Sequence, residues 1–259
     1  MSPGEVIAIF LAGVAAGTIN TIVGSGSLIT FPTLLAFGYP AVGANISNNI
    51  GMVFGGISGT WGYRAELVGQ ERRIRLLAPA SLLGSVTGAL LLLALPPSAF
   101  KAIVPVLIFI ALILVIVQPR MQPALARRRE RLQAETGTEH RGQRIVLVGG
   151  VFATGMYGGY FGAAQGVLLM GLLGSLLPES LQRVNAIKNL LALVANSVAA
   201  VVFMLVAWDK IIWGAVLLLA VGATIGGIIG ARVGRRLPPA VLRAVIVVVG
   251  LAAIIKLVG

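Results

Sequence analysis

The sequence predicts an all-α polytopic membrane protein made of two inverted repeats of about five segments each, with short half-helices and Gly/Ser-rich breaks near the midplane. Three observations predict it. The 259 residues are 58% hydrophobic and 11% charged, with a mean hydropathy of +0.98, and apolar runs of about 20 residues, the length that crosses a bilayer core, recur along the chain. A soluble domain of this size would carry far more charge. One glycine- and asparagine-rich stretch is used twice. The arginines collect in the loops between apolar runs, as the positive-inside rule expects.

The first copy of the repeated stretch opens at Gly17 and Asn20, turns at Gly24-Ser25-Gly26-Ser27, and closes at Asn45, Asn48 and Asn49. The second opens at Gly155, turns at Gly162-Ala163-Ala164-Gln165-Gly166, and closes at Asn185, Lys188 and Asn189. Gly17 and Gly24 lie seven apart, as do Gly155 and Gly162; Asn45 and Asn49 lie four apart, as do Asn185 and Asn189.

In chain order, the first repeat (1–117) contains an apolar span from Val6 to Val23 and a short segment from Leu28 to Phe37, interrupted by Pro32. Segments at Ile46–Tyr63, Leu76–Leu95 and Ala102–Val117 complete it. Residues 118–144 form a polar loop that carries Arg127-Arg128-Arg129-Glu130-Arg131. It reads as cytoplasmic and partly helical, either touching anionic headgroups or serving only as a topology signal. The second repeat (145–259) runs through Ile145–Phe161, a short Val167–Leu177 ending at Pro178, Ala186–Val206, Ile211–Gly230 and Val241–Val258. Nothing before Val6 resembles the basic start of a cleavable leader.

The loop charges choose the topology. If the two short segments re-entered on the side they left, the loop holding Arg232, Arg235, Arg236 and Arg243 would fall outside, against the rule. If they cross, the arginine-rich loops at 64–75, 118–144 and 231–243 all fall inside and both termini fall outside. An odd number of segments per half inverts the second half relative to the first, as in many secondary transporters.

The repeated stretch has a chemical reading. Irregular backbone at membrane depth is tolerated where it lines a cavity or is buried in protein. The two turns place backbone N–H groups, with the Ser25 and Ser27 hydroxyls and the Gln165 amide, at helix N-termini, which attract anions. Packing glycines are the alternative. Asn45, Asn48 and Asn49 share one helical face, and Asn185, Lys188 and Asn189 repeat it. Such polar faces are costly in lipid and should meet a cavity or each other. Lys188 is a natural anion ligand, the alternative being a lysine that snorkels with Arg183 to the cytoplasmic headgroups.

The acids fall at segment ends or in loops, so no mid-span carboxylate can relay protons or hold a cation. The single histidine, His140, lies in the long loop, and there is no cysteine. No metal, cofactor or catalytic constellation is expected. A net charge of +12 spread over loops, without a basic nucleic-acid module, excludes a nucleic-acid partner. The expected partners are the lipid bilayer and a small anionic substrate. The small-residue face at 222–230 allows packing within one chain or in a homodimer.

These residues resemble the TauE/SafE family of sulfite exporters and related organosulfur anion permeases. The carrying features are Gly17, Asn20, Gly24 to Ser27 with Phe31-Pro32, and Ala44 to Asn49; the second half adds Gly155 to Gly166 and Val184 to Asn189. The resemblance covers most of the chain. It departs where Ser25, Ser27, Ala163, Ala164 and Gln165 replace glycines of the family's turns. It implies export of sulfite, or a sulfonate such as sulfoacetate, across a bacterial inner membrane by alternating access. The alternatives are a permease for another small organic anion and a non-transporting membrane assembly factor.

Overall fold

A computed structural model describes residues 1–134, 141–233 and 247–248, and in these every regular element is helical. The long helices are α1 (Pro3–Ile22), α3 (Ala41–Gly62), α5 (Glu71–Ala94), α6 (Pro97–Ala134), α7 (Arg141–Tyr160), α9 (Leu181–Val206) and α10 (Trp213–Val233). Two short helices, α2 (Ser27–Ala36) and α8 (Gln165–Leu176), follow the repeated turns, and a single turn, α4 (Arg64–Leu67), precedes α5. His140 and all of the segment at 241–258 except 247–248 lie outside the described residues.

Among the described residues, five helices are long and apolar enough to span a membrane: Pro3–Ile22, Glu71–Ala94, Pro97–Gln118, Leu181–Val206 and Trp213–Arg232. Helices α3 and α7 match them in length, but α3 carries the three asparagines and α7 begins on Arg141 and Arg144. In α3 the buried asparagines lower the hydropathy, and in α7 the arginines of its first turn do so.

Helix starts are set by local chemistry. Ser2 accepts from the Glu5 amide while the Glu5 carboxylate accepts from the Ser2 amide, a capping box that begins α1 at Pro3. The Ser180 hydroxyl accepts from the Arg183 amide and begins α9 at Leu181, five residues before the expected Ala186. Pro40 precedes α3, which starts at Ala41, not Ile46. The polar faces therefore lie inside helices, about one to two turns from their starts. The basic loop is also largely helical: α6 continues past its apolar part to Ala134, and α7 is already under way at Arg141.

The packing of the two halves is reciprocal. Helix α1 lies along α10, and α7 lies along α5. Helix α10 also packs on α3, and α5 on α9. The repeated Gly17 and Gly155 explain the closeness: a Cβ on Gly17 would sit 2.3 Å from the Ala223 carbonyl oxygen of α10, and one on Gly155 2.6 Å from the Ser81 carbonyl oxygen of α5. Hydroxyls add to these seams. Thr18 donates to the Gly226 carbonyl at 3.1 Å, Ser58 to Thr224 at 3.0 Å, and Ser81 to Leu191 at 2.9 Å. The glycines at 222–230 meet Phe10, Val14, Thr18 and Ser58, so that face is spent within the chain.

Each short helix returns to the end of the molecule where its predecessor began. The Tyr39 hydroxyl, just past α2, donates to the Glu5 carboxylate at the start of α1. The Gln143 amide, in the first turn of α7, donates to the Leu176 carbonyl at the end of α8. The two ends of the molecule differ. At one, the starts of α3 and α6 and residues 209–212 enclose a cavity of about 590 Å³. At the other, Glu179 pairs with both Arg73 and Arg183 (2.6 Å), Gln70 donates to the Arg183 carbonyl, and Arg183 to the Val68 carbonyl. A second cavity of about 560 Å³ opens sideways between α6, α7 and α8, beside Thr154 and Ser175.

Candidate functional site

The two repeated turns meet. Gly24 and Gly162 both adopt left-handed backbone, φ 87° and 77°, which ends α1 and α7 abruptly and turns the chain back. Ala164 shares that conformation at φ 60°, immediately before α8. The Gly166 amide donates to the Gly24 carbonyl at 3.0 Å, and a Cβ on Gly24 would lie 2.4 Å from the Gly166 Cα. Gly26 is equally confined, 2.3 Å from the Ala16 carbonyl oxygen by the same measure.

The first-turn amides of α8 are largely spent on backbone. Gln165 donates to Gly162, and Val167 and Leu168 to Ala164, while Ala163 accepts from the Tyr157 hydroxyl at 2.5 Å. In α2, Leu28 and Ile29 donate to Ser25 and Gly26. The left-handed residue at Ala164 curls the chain onto the first-turn amides of α8, and two side chains at the crossing keep unmet groups. Ser25 is 1% exposed and Gln165 3% exposed, and the Ser25 Oγ and Gln165 Nε2 have no hydrogen-bond partner. Ser27 is half-buried at the start of α2. Phe161, in the second turn, stacks edge-on against Phe31 at 5.2 Å and Phe100 at 6.2 Å, which seals the crossing on one side.

The asparagine faces do not converge on one point. They flank the crossing as two reciprocal clusters. Asn45 of α3 donates to the Tyr160 carbonyl, the last residue of α7, at 3.0 Å. Asn185 of α9 donates to the Thr21 carbonyl, near the end of α1, at 3.3 Å. Each half thus supplies an amide to a helix end opened by the other half's turn, where orphan carbonyls need donors. Asn48 accepts from the Thr30 hydroxyl, and Asn49 donates to Asn196 at 3.3 Å. Asn196 lies seven residues beyond Asn189, about 10 Å along α9, which separates the two clusters by depth.

Lys188 stands where the first copy has Asn48, and the two do different work. It is 1% exposed and is the buried charged side chain among the described residues. Its ammonium donates to the Asn20 carbonyl at 3.2 Å and the Thr21 carbonyl at 3.3 Å, and Asn189 donates to Thr21 at 3.3 Å. A cation at the negative end of a helix dipole is favourable. The ammonium has three donors, of which these contacts use two, and no carboxylate meets it among the described residues. The headgroup alternative fails for Lys188, whose head points inward to α1. It suits Arg183 better, which sits at the molecule's end with Glu179.

Several partners were not legible in the sequence. Thr21 and Tyr160 contribute through backbone carbonyls, which no side-chain pattern announces. Asn196 and Thr30 are polar residues in largely apolar helices, and that polarity is the signal that could have marked them.

The model of the family described as "Sulfite exporter TauE/SafE" matches residues 9–257, nearly the whole chain. The chain belongs to the TauE/SafE family. Its relatives include the probable membrane transporter protein YfcA of Escherichia coli K12, 26% identical over 99% of this chain and 91% of YfcA. A probable membrane transporter protein of Haemophilus influenzae is 25% identical over 96% of this chain and 93% of its own length. The probable membrane transporter protein ORF9 of a Sinorhizobium species is 27% identical over 96% and 90%. No solved structure matches. The TauE/SafE match and the apolar helices make this a multi-span membrane protein of a transporter family.

Proposed function

We propose that this TauE/SafE protein exports a small sulfur oxyanion, sulfite or a sulfonate, from the cytoplasm by alternating access between two inverted halves. The observation that carries the reading is Lys188, a buried basic side chain held on helix carbonyls with no carboxylate opposite it among the described residues. An unpaired charge in a low-dielectric interior is costly, and a bound anion relieves that cost. The Ser25 and Gln165 donors at the crossing supply a neighbouring step toward the Asn45 cluster. The site of this proposal comprises Asn20, the two turns at 24–27 and 162–165, Asn45, Asn48, Asn49, Asn185, Lys188 and Asn189.

The reciprocal packing and the matched capping of Thr21 and Tyr160 support inverted halves. The end that carries Arg73, Arg75, Arg144 and Arg183 is assigned to the cytoplasm by the positive-inside rule, and the 590 Å³ cavity to the outside of a bacterial inner membrane. A negative-inside potential favours anion exit by about 2.3 kcal/mol per charge per 100 mV. The test is sulfite flux in proteoliposomes with the potential clamped at either sign. Wild type should give potential-sensitive flux and Lys188→Ala should lose at least nine-tenths of it, roughly the tenfold that about 1.4 kcal/mol of lost anion binding produces. Wild-type liposomes inert to sulfite and to sulfonates alike would sink the reading.

A further inference from the structure

Lys188 and Asn185 meet on one atom. Both donate to the Thr21 carbonyl oxygen, each at 3.3 Å. That shared acceptor fixes the Asn185 amide: its nitrogen must face Thr21, because the reversed amide would set two oxygens against each other. The Asn185 Oδ1 is consequently turned away from Thr21. It is buried, belongs to a residue 5% exposed, and has no donor. The Lys188 ammonium, anchored on the same Thr21 oxygen, has one N–H in excess of its two carbonyls. One open acceptor and one open donor therefore belong to two side chains held on one carbonyl at the end of α1.

We infer that this site selects a small monoanion that itself carries an O–H or N–H donor, such as hydrogensulfite, over dianions and over anions with no donor. The inference rests on the anion-export reading above and narrows it. Lys188 is the one buried basic group among the described residues, so with its ammonium a monoanion leaves the site neutral while a dianion leaves a net negative charge in a medium that solvates it poorly. A ligand with acceptors only would satisfy Lys188 and leave the Asn185 oxygen unpaired, and an unmet buried acceptor is penalised. The first repeat has no cation at the equivalent place, Asn48, so the charge preference belongs to the second repeat. Asn185 Oδ1 is shielded from solvent in the arrangement described, and a ligand reaches it as the end of α1 and α9 part.

The test uses three two-carbon sulfonates at one pH, with full-length protein in nanodiscs and binding read by calorimetry. Ethanesulfonate is a monoanion with no donor, 2-hydroxyethanesulfonate adds a hydroxyl, and sulfoacetate is a dianion. The hydroxylated monoanion should bind at least tenfold tighter than either of the others, and Asn185→Leu should erase its advantage over ethanesulfonate. If Asn185→Leu does not fold, the wild-type series still decides. Ethanesulfonate binding as tightly as its hydroxylated analogue, or sulfoacetate binding tighter, would overturn the inference and leave the export reading standing. If none of the three binds and sulfite does not either, the export reading itself falls, and the selectivity with it.

Discussion

Gly24 shows how much one missing Cβ decides. Its φ of 87° and its contact with Gly166 impose two separate demands, a left-handed backbone and no side chain. Gly38 has almost the same φ, 86°, but open space around it. Gly38→Ala should therefore cost only the conformational strain, about 1–2 kcal/mol. Gly24→Ala should add about 1–3 kcal/mol of overpacking. Thermal unfolding of the two variants in the same detergent checks the order, and equal losses would show that the crossing of the turns is loose. At Lys188 the same kind of contrast separates charge from shape. Lys188→Arg keeps the cation but not the compact head that fits between two carbonyls. It should retain anion dependence while losing rate, where Lys188→Ala loses both. The sequence made Lys188 conspicuous as a cation between asparagines. It did not reveal the partners, because Asn20 and Thr21 act through carbonyls that are exposed only where α1 stops.

The short helices and their seams carry a second set of expectations. Helices α2 and α8, about 15–18 Å long by helical rise, were legible from apolar runs bounded by glycine and proline. Their neighbours α3 and α9 start five residues earlier than apolar character suggests, because Pro40 and Ser180 set the starts and polar residues fill the first turns. Tyr39 ties the end of α2 to α1. Burial and the Glu5 carboxylate push its pKa up to about 12, so it remains a donor across the physiological range. The seam at Glu179 behaves differently. Desolvation raises its pKa, but hydrogen bonds and charge from Arg73 and Arg183 outweigh that and hold the carboxyl below its ordinary value. A depressed carboxylate contributes its stabilisation above the unfolded value and loses it as pH falls through the folded one. Acidification, or Glu179→Gln, should loosen the end near Arg73. A cysteine placed at Leu177, 1% exposed and two residues before Glu179, should react faster with a thiol reagent in Glu179→Gln than in wild type at one pH, and an unchanged rate would mean that Glu179 does not hold that end shut.

The arrangement of the two halves is testable because the chain has no native cysteine. Single cysteines at Gly4 and at Ser98 should be labelled from the same side of the membrane by an impermeant reagent, and one at Arg72 from the other. Labelling of Gly4 and Ser98 from opposite sides would refute the crossing arrangement. The repeated stretch and the two short helices were readable from glycine, asparagine and proline spacing. The exchange of partners was not, since nothing in the order of segments says that α1 would lie along α10 or α7 along α5. Close glycine contacts such as Gly17 on Ala223 record that choice, and they become interpretable only when the facing helix is known.

The pairing of α1 with α10 also sets a timetable. Helix α1 ends at Ile22 and α10 begins at Trp213. At about 5–20 residues synthesised per second, α1 leaves the ribosome on the order of ten seconds or more before its main partner exists. Over that interval Thr18 has no Gly226 carbonyl, Gly17 faces no Ala223, and the carbonyls of Asn20 and Thr21 await α9. The nascent first half is thus a membrane-held intermediate with its seam open, and its maturation depends on the last third of the chain. A ribosome stalled before Trp213 should present that first half as a substrate for membrane-embedded quality control, and release of the remaining chain should withdraw it.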